Sequence, residues 1–375
     1  MIYLDYAATA PVPRAVAEEV QTILQNHYGN HSSQYAPGLE MKKNVETWRQ
    51  TVAAALDCPP DRLFFTSCGT EGDNWAIRAA LWQNRHLGRH IVTTAVEHSA
   101  VLECCKWLVQ DGYEVTYLQP DANGTITAQQ VLSAVRPDTA LVSIMLVNNE
   151  LGNVYPVAEI AQNLPAVNPK TLLHTDAVQG LFTFSAKTLG ADFIAVSGHK
   201  IGAPKGVGAL YIGPRVRNPR PLLPGGGQEN GFRAGTEATA QIAGFAKAAE
   251  LRMANLPEDQ RRLTALRAYA LEKLSVIPDL EPVGQGGAAH ILSVSLKGWP
   301  SQNIVNDLDA QGICISAGSA CHQGKPSHVI KALRLPKKTA SGVIRLSFGP
   351  DTTEAEIDAC AAALQNHRNT RMPML

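Results

Sequence analysis

Two reactive side chains of this sequence each come after a short apolar run. Lys200 lies just beyond the run FIAVS, and burial at such a place lowers the pKa of an amine and makes it a nucleophile for carbonyl groups. An ordinary lysine that extends into solvent is the alternative. Asp176 ends the run LLHTD, at a predicted strand end of the kind where open α/β sheets bind ligands. A helix N-cap is the alternative for this aspartate.

The segment FFTSCGTEGDNW joins an apolar run to an amphipathic helical pattern. A strand, turn and helix in this order direct free N–H groups and a positive dipole at an anion, and Thr70 beside Gly69 adds a hydroxyl. A capping box of Thr70 and Asp73 is the alternative. Combined with Lys200 and Asp176, an anion site meets the needs of pyridoxal phosphate: a phosphate cradle, an acid for the ring nitrogen and a lysine for the aldehyde.

Three further groups of polar side chains lie at predicted strand ends or in a flexible segment. His98 can stack on a cofactor ring or relay protons, and a core histidine is the alternative. Asn148 and Asn149 can hydrogen-bond the cofactor or a substrate carboxylate, whereas turn formation is common for paired asparagines. Cys321 lies in SAGSACHQGKPSH, between small residues and basic ones. Such surroundings favour a reactive thiolate over a buried structural cysteine.

The elements that position these residues alternate between about residues 60 and 215. Short apolar runs and helical patterns take turns there, which is typical of a parallel sheet covered by helices. The predicted strands are 63–66, 90–96, 114–118, 140–147, 172–175, 193–197 and 207–212. The stretch 215–235 is rich in Pro, Gly and Arg, and we expect it to cover a site or an interface.

Helices are predicted at 236–253 and from Pro257 to about residue 275, with the proline in the first turn of the second helix. Strands near 290–296 and 343–348 and a helix near 303–311 predict a smaller α+β domain. The predicted organisation is an N-terminal segment that joins the small domain, a large α/β domain and a small C-terminal domain that carries Cys321. Their ranges are 1–14, 15–255 and 256–375.

Composition limits the class of partner. Lys and Arg together number 33, as do Asp and Glu, so there is no electrostatic footprint for nucleic acid or an anionic membrane surface. The most apolar window, 140–147, is far shorter than the roughly 20 residues of a membrane-spanning helix. No signal peptide is recognised, and seven cysteines without a CxxC pair predict free thiols. We expect a soluble, cytoplasmic protein without a metal site.

Nine motifs follow one another in order over residues 3–350: DYAATAP, TSCGTEGDN, VEHSAV, VNNELG, HTDAVQ, SGHKIGAPKGVG, RAGTE, SAGSAC and IRLSFG. In these motifs the chain resembles the cysteine desulfurases, fold-type I pyridoxal-phosphate enzymes related to class V aminotransferases. SAGSAC favours the group with a mobile cysteine loop. The resemblance implies an α/β fold with a mostly parallel seven-stranded sheet covered by helices and a smaller α+β domain.

The resemblance also implies roles for individual residues. Lys200 would hold the cofactor, Asp176 would pair with its ring nitrogen and His98 would stack on its face. The implied phosphate ligands are Gly69, Thr70, Ser197 and His199, with Thr236 from the partner subunit of a homodimer. The ring oxygen would contact Asn149 and Gln179, and the substrate carboxylate would bind Arg345 and Asn149. The chain departs from the family pattern at His31, Tyr35 and Cys68, where proline, histidine and glycine are usual.

The implied activity converts L-cysteine to L-alanine and leaves a persulfide on Cys321. The sulfur would pass to an acceptor protein, either a scaffold for iron–sulfur clusters or a tRNA-thiolation enzyme. One alternative is a selenocysteine lyase or a cystine lyase-like enzyme that does not need Cys321. Another is a cofactor-free thiol or metal carrier that uses Cys104, Cys105 and Cys321, which the absence of CxxC and the helical pattern around the first two disfavour.

Overall fold

The elements of the chain are taken from a computed structural model, which describes residues 1–180, 184–317 and 327–374. The strands are β1 Ile2–Tyr3, β2 Leu63–Thr66, β3 His90–Thr94, β4 Glu114–Leu118, β5 Thr139–Ser143, β6 Leu172–Asp176, β7 Phe193–Ser197, β8 Gly208–Ile212, β9 Leu280–Pro282, β10 Ile291–Leu296, β11 Ile313–Cys314 and β12 Val343–Ser347. The helices are α1 Arg14–Asn26, α2 Ala36–Leu56, α3 Gly69–Gln83, α4 Ser99–Gln110, α5 Ala128–Ser133, α6 Val157–Val167, α7 Ala186–Leu189, α8 Thr239–Ser275, α9 Ser301–Asp309, α10 His328–Ala332, α11 Lys337–Ser341 and α12 Glu354–Thr370.

The large sheet confirms the predicted architecture. Within the described ranges it has seven strands in the order β2-β8-β7-β6-β5-β3-β4. Strand β8 is antiparallel to both of its neighbours, and the remaining strands all run in one direction. The carboxyl ends of β2, β3, β5, β6 and β7 therefore meet at one edge. In such sheets this edge is where ligands bind.

Alternating side chains give the sheet two apolar faces, each covered by helices. In β7, Phe193 and Ala195 pack into one core with α3 and α4, while Ile194 and Val196 pack into a second core with α1, α2 and the first part of α8. This period of two explains why the strands read as nearly continuous apolar runs, since both faces are buried.

The predicted run 140–147 is longer than β5, which ends at Ser143. The chain continues beside β6, and the Leu146 N–H donates to the carbonyl oxygen of Asp176 at 2.8 Å. Residues 144–147 remain buried, which explains why the apolar run continues after the hydrogen-bonded ladder of β5 ends. This continuation brings Asn148 and Asn149 to the edge of the sheet where β6 ends.

Helix α8 corrects the prediction of two helices at 236–253 and 257–275. It is continuous from Thr239 to Ser275, with Pro257 inside it. Proline removes one backbone hydrogen bond of a helix, but packing holds both halves: Phe245 lies in a core of the large sheet and Leu274 in a separate core. The predicted domain boundary at 255–256 falls inside this helix, and the division into domains stays a prediction.

The separate core lies beneath an antiparallel sheet of order β12-β10-β9, close to the parallel pair of β1 and β11. Leu4 belongs to this core, so the first residues of the chain pack against elements formed by its last hundred. In the part of the chain that the structure describes, no helix combines the length and the apolar character needed to cross a membrane.

Candidate active site

Lys200 lies in a short turn directly after β7. Its Nζ donates to the carbonyl oxygens of Ala7 at 2.7 Å and Ala8 at 3.1 Å. Burial and the positive charge of Arg345 lower the pKa of this amine to about 8, although the carboxylate of Asp176 acts in the opposite direction. The predicted desolvated lysine is thus present, and a substantial fraction of its amine is neutral near neutral pH.

Asp176 is the last residue of β6 and is buried. One carboxylate oxygen, Oδ1, accepts the Val178 N–H at 2.9 Å. Burial raises the pKa of Asp176, while the neighbouring His98, the hydrogen bond from Val178 and the Lys200 ammonium oppose that rise. A cationic ring nitrogen placed here would gain a buried carboxylate partner and would favour its ionised form.

His98 precedes α4 and caps it, because its Nδ1 accepts the Ala100 N–H at 3.2 Å. Desolvation at the site lowers its pKa, against the opposing charge of Asp176. The neutral imidazole therefore carries its proton on Nε2. The side chain is exposed in the isolated chain, so the helix cap does not remove it from the site.

The anion cradle begins where α3 starts, at Gly69. The N-cap residue Cys68 makes no side-chain hydrogen bond to the helix in the described chain, which leaves the first N–H groups available. A Cβ at Gly69 would lie 2.7 Å from Cγ2 of Val178 and 3.6 Å from Cβ of Ser197. Thr70 is exposed beside this position. Free N–H groups and hydroxyls at a helix N-terminus are a donor set that fits a phosphate.

Residues 4–10, called here the N-terminal arm, form one wall of the site. The Ala7 carbonyl oxygen that accepts from Lys200 also accepts from Nε2 of Gln179 at 2.8 Å. Nδ1 of His199 lies 3.2 Å from Oγ1 of Thr9. Burial, followed by the charges of two lysines, lowers the pKa of His199 to about 4, so this histidine is neutral. The arm thus contacts three residues that the sequence analysis assigned to the cofactor.

Arg345 lies in β12 and is buried, with 5% of its surface exposed. Its Nη1 donates to the backbone carbonyl of Asn149 and its Nη2 to Oδ1 of Asp5, both at 2.6 Å. The Nε atom is buried and has no hydrogen-bond partner among the described residues. An unpaired buried donor of this kind is costly unless a ligand satisfies it.

The two asparagines of VNNELG play different parts. Asn148 is a turn former: its Oδ1 accepts the N–H groups of Glu150 at 3.0 Å and Leu151 at 2.9 Å. Turn formation, the alternative given for the paired asparagines, therefore describes Asn148. Asn149 lies at the site. Its backbone carbonyl, rather than its side-chain amide, accepts the hydrogen bond from Arg345.

Thr236 does not join the other predicted phosphate ligands in the isolated chain, where it is exposed. It lies near Arg233, whose guanidinium pairs with Glu71 in the first turn of α3 at 2.8 Å. The next residue, Glu237, pairs with Nε2 of His31 at 2.8 Å. His31, which stands where proline is usual, thus binds Glu237 of the RAGTE motif. Arg233 thus brings the end of the stretch 215–235 to the first turn of α3, where the anion site is predicted.

Cys321 lies outside the described residues, and so do the glycines and basic residues next to it. The residues that flank this gap do contact the site. Ser316 exchanges two backbone hydrogen bonds with Arg345, at 2.8 and 3.1 Å. On the other side Oγ of Ser327 donates to Glu150 at 2.6 Å. One end of the cysteine-bearing segment therefore starts beside β12 and the other beside Glu150, which follows Asn149 in sequence.

Two acidic residues near the site were missed by the sequence analysis. Asp5 gives no local signal, because its partner Arg345 is 340 positions away. Glu97 is fully buried, and its Oε1 accepts from Thr94 at 2.9 Å and from the Met145 N–H at 3.0 Å. Burial raises the pKa of Glu97 to about 8. The sequence could have indicated that Glu97 lies near the site, because it stands between an apolar run and His98.

Comparison with known proteins decides the family. The class-V aminotransferase family matches residues 2–360. A cysteine desulfurase from Nostoc sp. is 44% identical over 365 residues, which cover 96% of this chain and 90% of the relative. The chain belongs to the cysteine desulfurases of this family.

Solved structures agree with this membership of the cysteine desulfurases. A NifS-like protein superposes with a TM-score of 0.92 at 34% identity and covers 99% of this chain and 100% of its own. A structure described as SspA in complex with cysteine has a TM-score of 0.82 at 31% identity, with coverage of 94% and 100%. Enzymes of this family use pyridoxal phosphate, which rules against the cofactor-free carrier. Cys104 and Cys105 are buried in α4, and burial raises the pKa of Cys104 to about 11.

Proposed function

We propose that this cysteine desulfurase converts L-cysteine to L-alanine with pyridoxal phosphate held on Lys200, and that the sulfur leaves as a persulfide on Cys321. The observation that carries the proposal is the desolvated Lys200 amine, with a pKa of about 8, facing the buried Asp176 at the edge where the strands end. The resemblance of both sequence and fold to cysteine desulfurases, including a structure described with cysteine, supports this substrate.

The residues around Lys200 fit the cofactor by their chemistry. The proposed phosphate ligands are Gly69, Thr70, Ser197 and His199, completed by Thr236 of the partner subunit. Asp176 would pair with the ring nitrogen, and His98 would cover the ring. Gln179 and Asn149 would contact the ring oxygen, since Gln179 spends only one of its two amide N–H donors on Ala7. Once bound, pyridoxal phosphate supplies an electron sink for bonds broken at the substrate's carbons.

The chain's own residues bind the substrate and move protons. Arg345 offers its unpartnered Nε and its remaining Nη hydrogens to the substrate carboxylate, with a planar geometry that lysine lacks. The Lys200 amine, released from the carbonyls of Ala7 and Ala8, takes and returns protons at the substrate. His98 is a second proton relay at the same edge: it can release its Nε2 proton once Nδ1, which now accepts the Ala100 N–H, has taken one up.

Cys321 provides the sulfur acceptor. Its thiolate would attack the substrate sulfur, so that an S–S bond forms as the C–S bond breaks and the electron pair of that bond goes to the substrate carbon. Protonation of that carbon then leaves L-alanine. The flanking contacts of Ser316 with Arg345 and of Ser327 with Glu150 support this role, because both ends of the segment begin at the carboxylate-binding part of the site.

The proposal includes a homodimer, an acceptor protein and a cytoplasmic location. The exposure of Thr236 supports the dimer, since a residue on the surface of one chain is free to complete the phosphate site of another. The acceptor would be a scaffold for iron–sulfur clusters or a tRNA-thiolation enzyme, reached by the persulfide on Cys321. The balance of 33 basic and 33 acidic residues favours a protein acceptor over direct binding to nucleic acid.

The test of this proposal compares Cys321→Ala with Cys314→Ala, a matched cysteine seven positions earlier. L-alanine and sulfide formed from L-cysteine are measured, together with the visible absorbance of bound cofactor. We expect Cys321→Ala to lose about 100-fold or more in L-alanine formation while it keeps the absorbance, because the nucleophile is gone and the cofactor site is not. Cys314→Ala should retain both.

Three results would overturn the proposal. Desulfuration by Cys321→Ala at the wild-type rate would show that the thiol is dispensable, as in a selenocysteine lyase or a cystine lyase-like enzyme. A colourless wild-type protein after incubation with pyridoxal phosphate, or a Lys200→Ala variant with unchanged absorbance, would remove the cofactor assignment.

A further inference from the structure

We propose that Asp5 is a positioning residue for substrate recognition: through its side-chain oxygen it holds Arg345 so that Nε is presented to the substrate carboxylate. This inference rests on the proposed function, in which Arg345 binds that carboxylate. Asp5 itself does not touch the substrate, and it acts through the arginine.

The Arg345 guanidinium is fixed at two corners. Nη2 donates to Oδ1 of Asp5 and Nη1 to the carbonyl of Asn149, each at 2.6 Å. With both corners held, one hydrogen on each Nη and the Nε–H remain, and Nε is buried and without a hydrogen-bond partner among the described residues. A planar guanidinium held at both Nη atoms cannot rotate its plane, so Nε and the second Nη hydrogens keep one direction.

Asp5 is itself held by backbone pairing. It forms a parallel bridge with Ser347 of β12, and the Ser347 N–H donates to the Leu4 carbonyl at 2.8 Å. The Tyr3 hydroxyl also donates to the carbonyl of Asp5, at 3.2 Å. Ser347 is two residues from Arg345 on the same strand. The carboxylate and the guanidinium are therefore carried by two paired backbones, which defines their separation.

Two effects of Asp5 oppose each other. Its negative charge repels a second carboxylate, which would weaken substrate binding, whereas its grip on Nη2 orients the arginine, which strengthens binding. Three observations favour orientation. The contact with Arg345 uses one oxygen of Asp5. The Asp5 side chain is 21% exposed, so solvent partly screens its repulsion of a second carboxylate. Lys200 interacts electrostatically with both Asp5 and Arg345. Without Asp5, the guanidinium would be held at Nη1 alone, and its effect on Lys200 would no longer be opposed by the Asp5 carboxylate.

The experiment compares two ligands that differ by one carboxylate. L-alanine and ethylamine share the amine and the methyl group, and each is titrated into the cofactor-loaded enzyme while visible absorbance is recorded. We expect Asp5→Ala to weaken L-alanine by about tenfold or more, as loss of a charged hydrogen bond does, and to leave ethylamine unchanged. Asp5→Asn, which keeps the acceptor oxygen and the fold, should stay closer to wild type than to Asp5→Ala.

Turnover of L-cysteine gives a second readout. Asp5→Ala should raise KM much more than it lowers kcat, because the arginine acts on binding. A surface control, Asp138→Ala, removes an exposed aspartate that also pairs with an arginine and should change none of these values.

Several outcomes overturn the inference. They are L-alanine binding by Asp5→Ala as tight as or tighter than wild type, equal weakening of ethylamine, or an Asp5→Asn variant as impaired as Asp5→Ala. Arg345→Ala separates the two proposals. If that variant loses L-alanine while Asp5→Ala does not, only the role of Asp5 fails. If neither variant weakens L-alanine, the assignment of Arg345 in the proposed function fails as well.

Discussion

The pH at which the cofactor-free protein captures pyridoxal phosphate tests the electrostatics around Lys200. Only a neutral amine attacks the aldehyde, and burial together with Arg345 lowers the pKa of Lys200 from 10.5 to about 8. At pH 7 about 10% of such an amine is neutral, compared with about 0.03% of an unperturbed lysine. Capture at pH 7 should therefore be about 300-fold faster than an ordinary lysine would allow.

The assay mixes the protein with pyridoxal phosphate and follows the rise in visible absorbance between about pH 6 and pH 10.5. We expect the rate to rise about tenfold per pH unit and to level off above about 8. Arg345→Gln should move the midpoint up, because a nearby positive charge is removed. Asp176→Asn should move it down, because this carboxylate raises the pKa of Lys200.

Two lysine variants serve as controls for this experiment. Lys205→Ala removes an exposed lysine five positions away and should leave the profile unchanged, whereas Lys200→Ala should show no rise in absorbance. A wild-type midpoint above about 10 would refute the argument from burial. Shifts of Arg345→Gln and Asp176→Asn in the same direction would refute the assignment of the two charges.

Two further predictions concern the cradle and the segment beside it. Gly69→Ala places a Cβ 2.7 Å from Val178 and should lower the unfolding free energy by about 1–3 kcal/mol and weaken cofactor binding, measured by thermal unfolding and pyridoxal phosphate titration. Gly227→Ala is the control, because a Cβ at Gly227 would have no atom within 4 Å. An equal loss of unfolding free energy in Gly227→Ala would contradict the steric argument for Gly69. Glu229→Gln breaks a buried pair with Arg49 at two contacts of 2.7 Å. It should cost about 3 kcal/mol in urea unfolding, and a loss below about 1 kcal/mol would contradict the buried pairing.

The part of the site that follows strand order could be predicted from the sequence. Asp176, Ser197 and Lys200 each come after an apolar run, and parallel strands bring their carboxyl ends to one edge. Gly69 follows β2, which lies next to the antiparallel strand β8. Because β8 is antiparallel to both β2 and β7, these two strands run in the same direction. Local patterns therefore placed these residues correctly without knowledge of strand order.

Other features depend on contacts that no local pattern reveals. The acceptors of Lys200 are backbone carbonyls of Ala7 and Ala8, and every residue has such a group. Pro257 is a normal first-turn residue, and only packing against two separate cores keeps α8 continuous through it. Asn149 contacts Arg345 through its backbone carbonyl, and a backbone contact of this kind is not indicated by the residue type.

The N-terminal arm also determines when the site can be completed during synthesis. The arm is synthesised long before its partner strand β12, because Arg345 follows Asp5 by 340 positions. A nascent chain can therefore pair the strands of the large sheet before Arg345, the proposed ligand of the substrate carboxylate, has been synthesised. On the proposed function, competence to handle sulfur is then acquired only after residue 345 has been synthesised, and a chain that stops earlier lacks the proposed carboxylate-binding group.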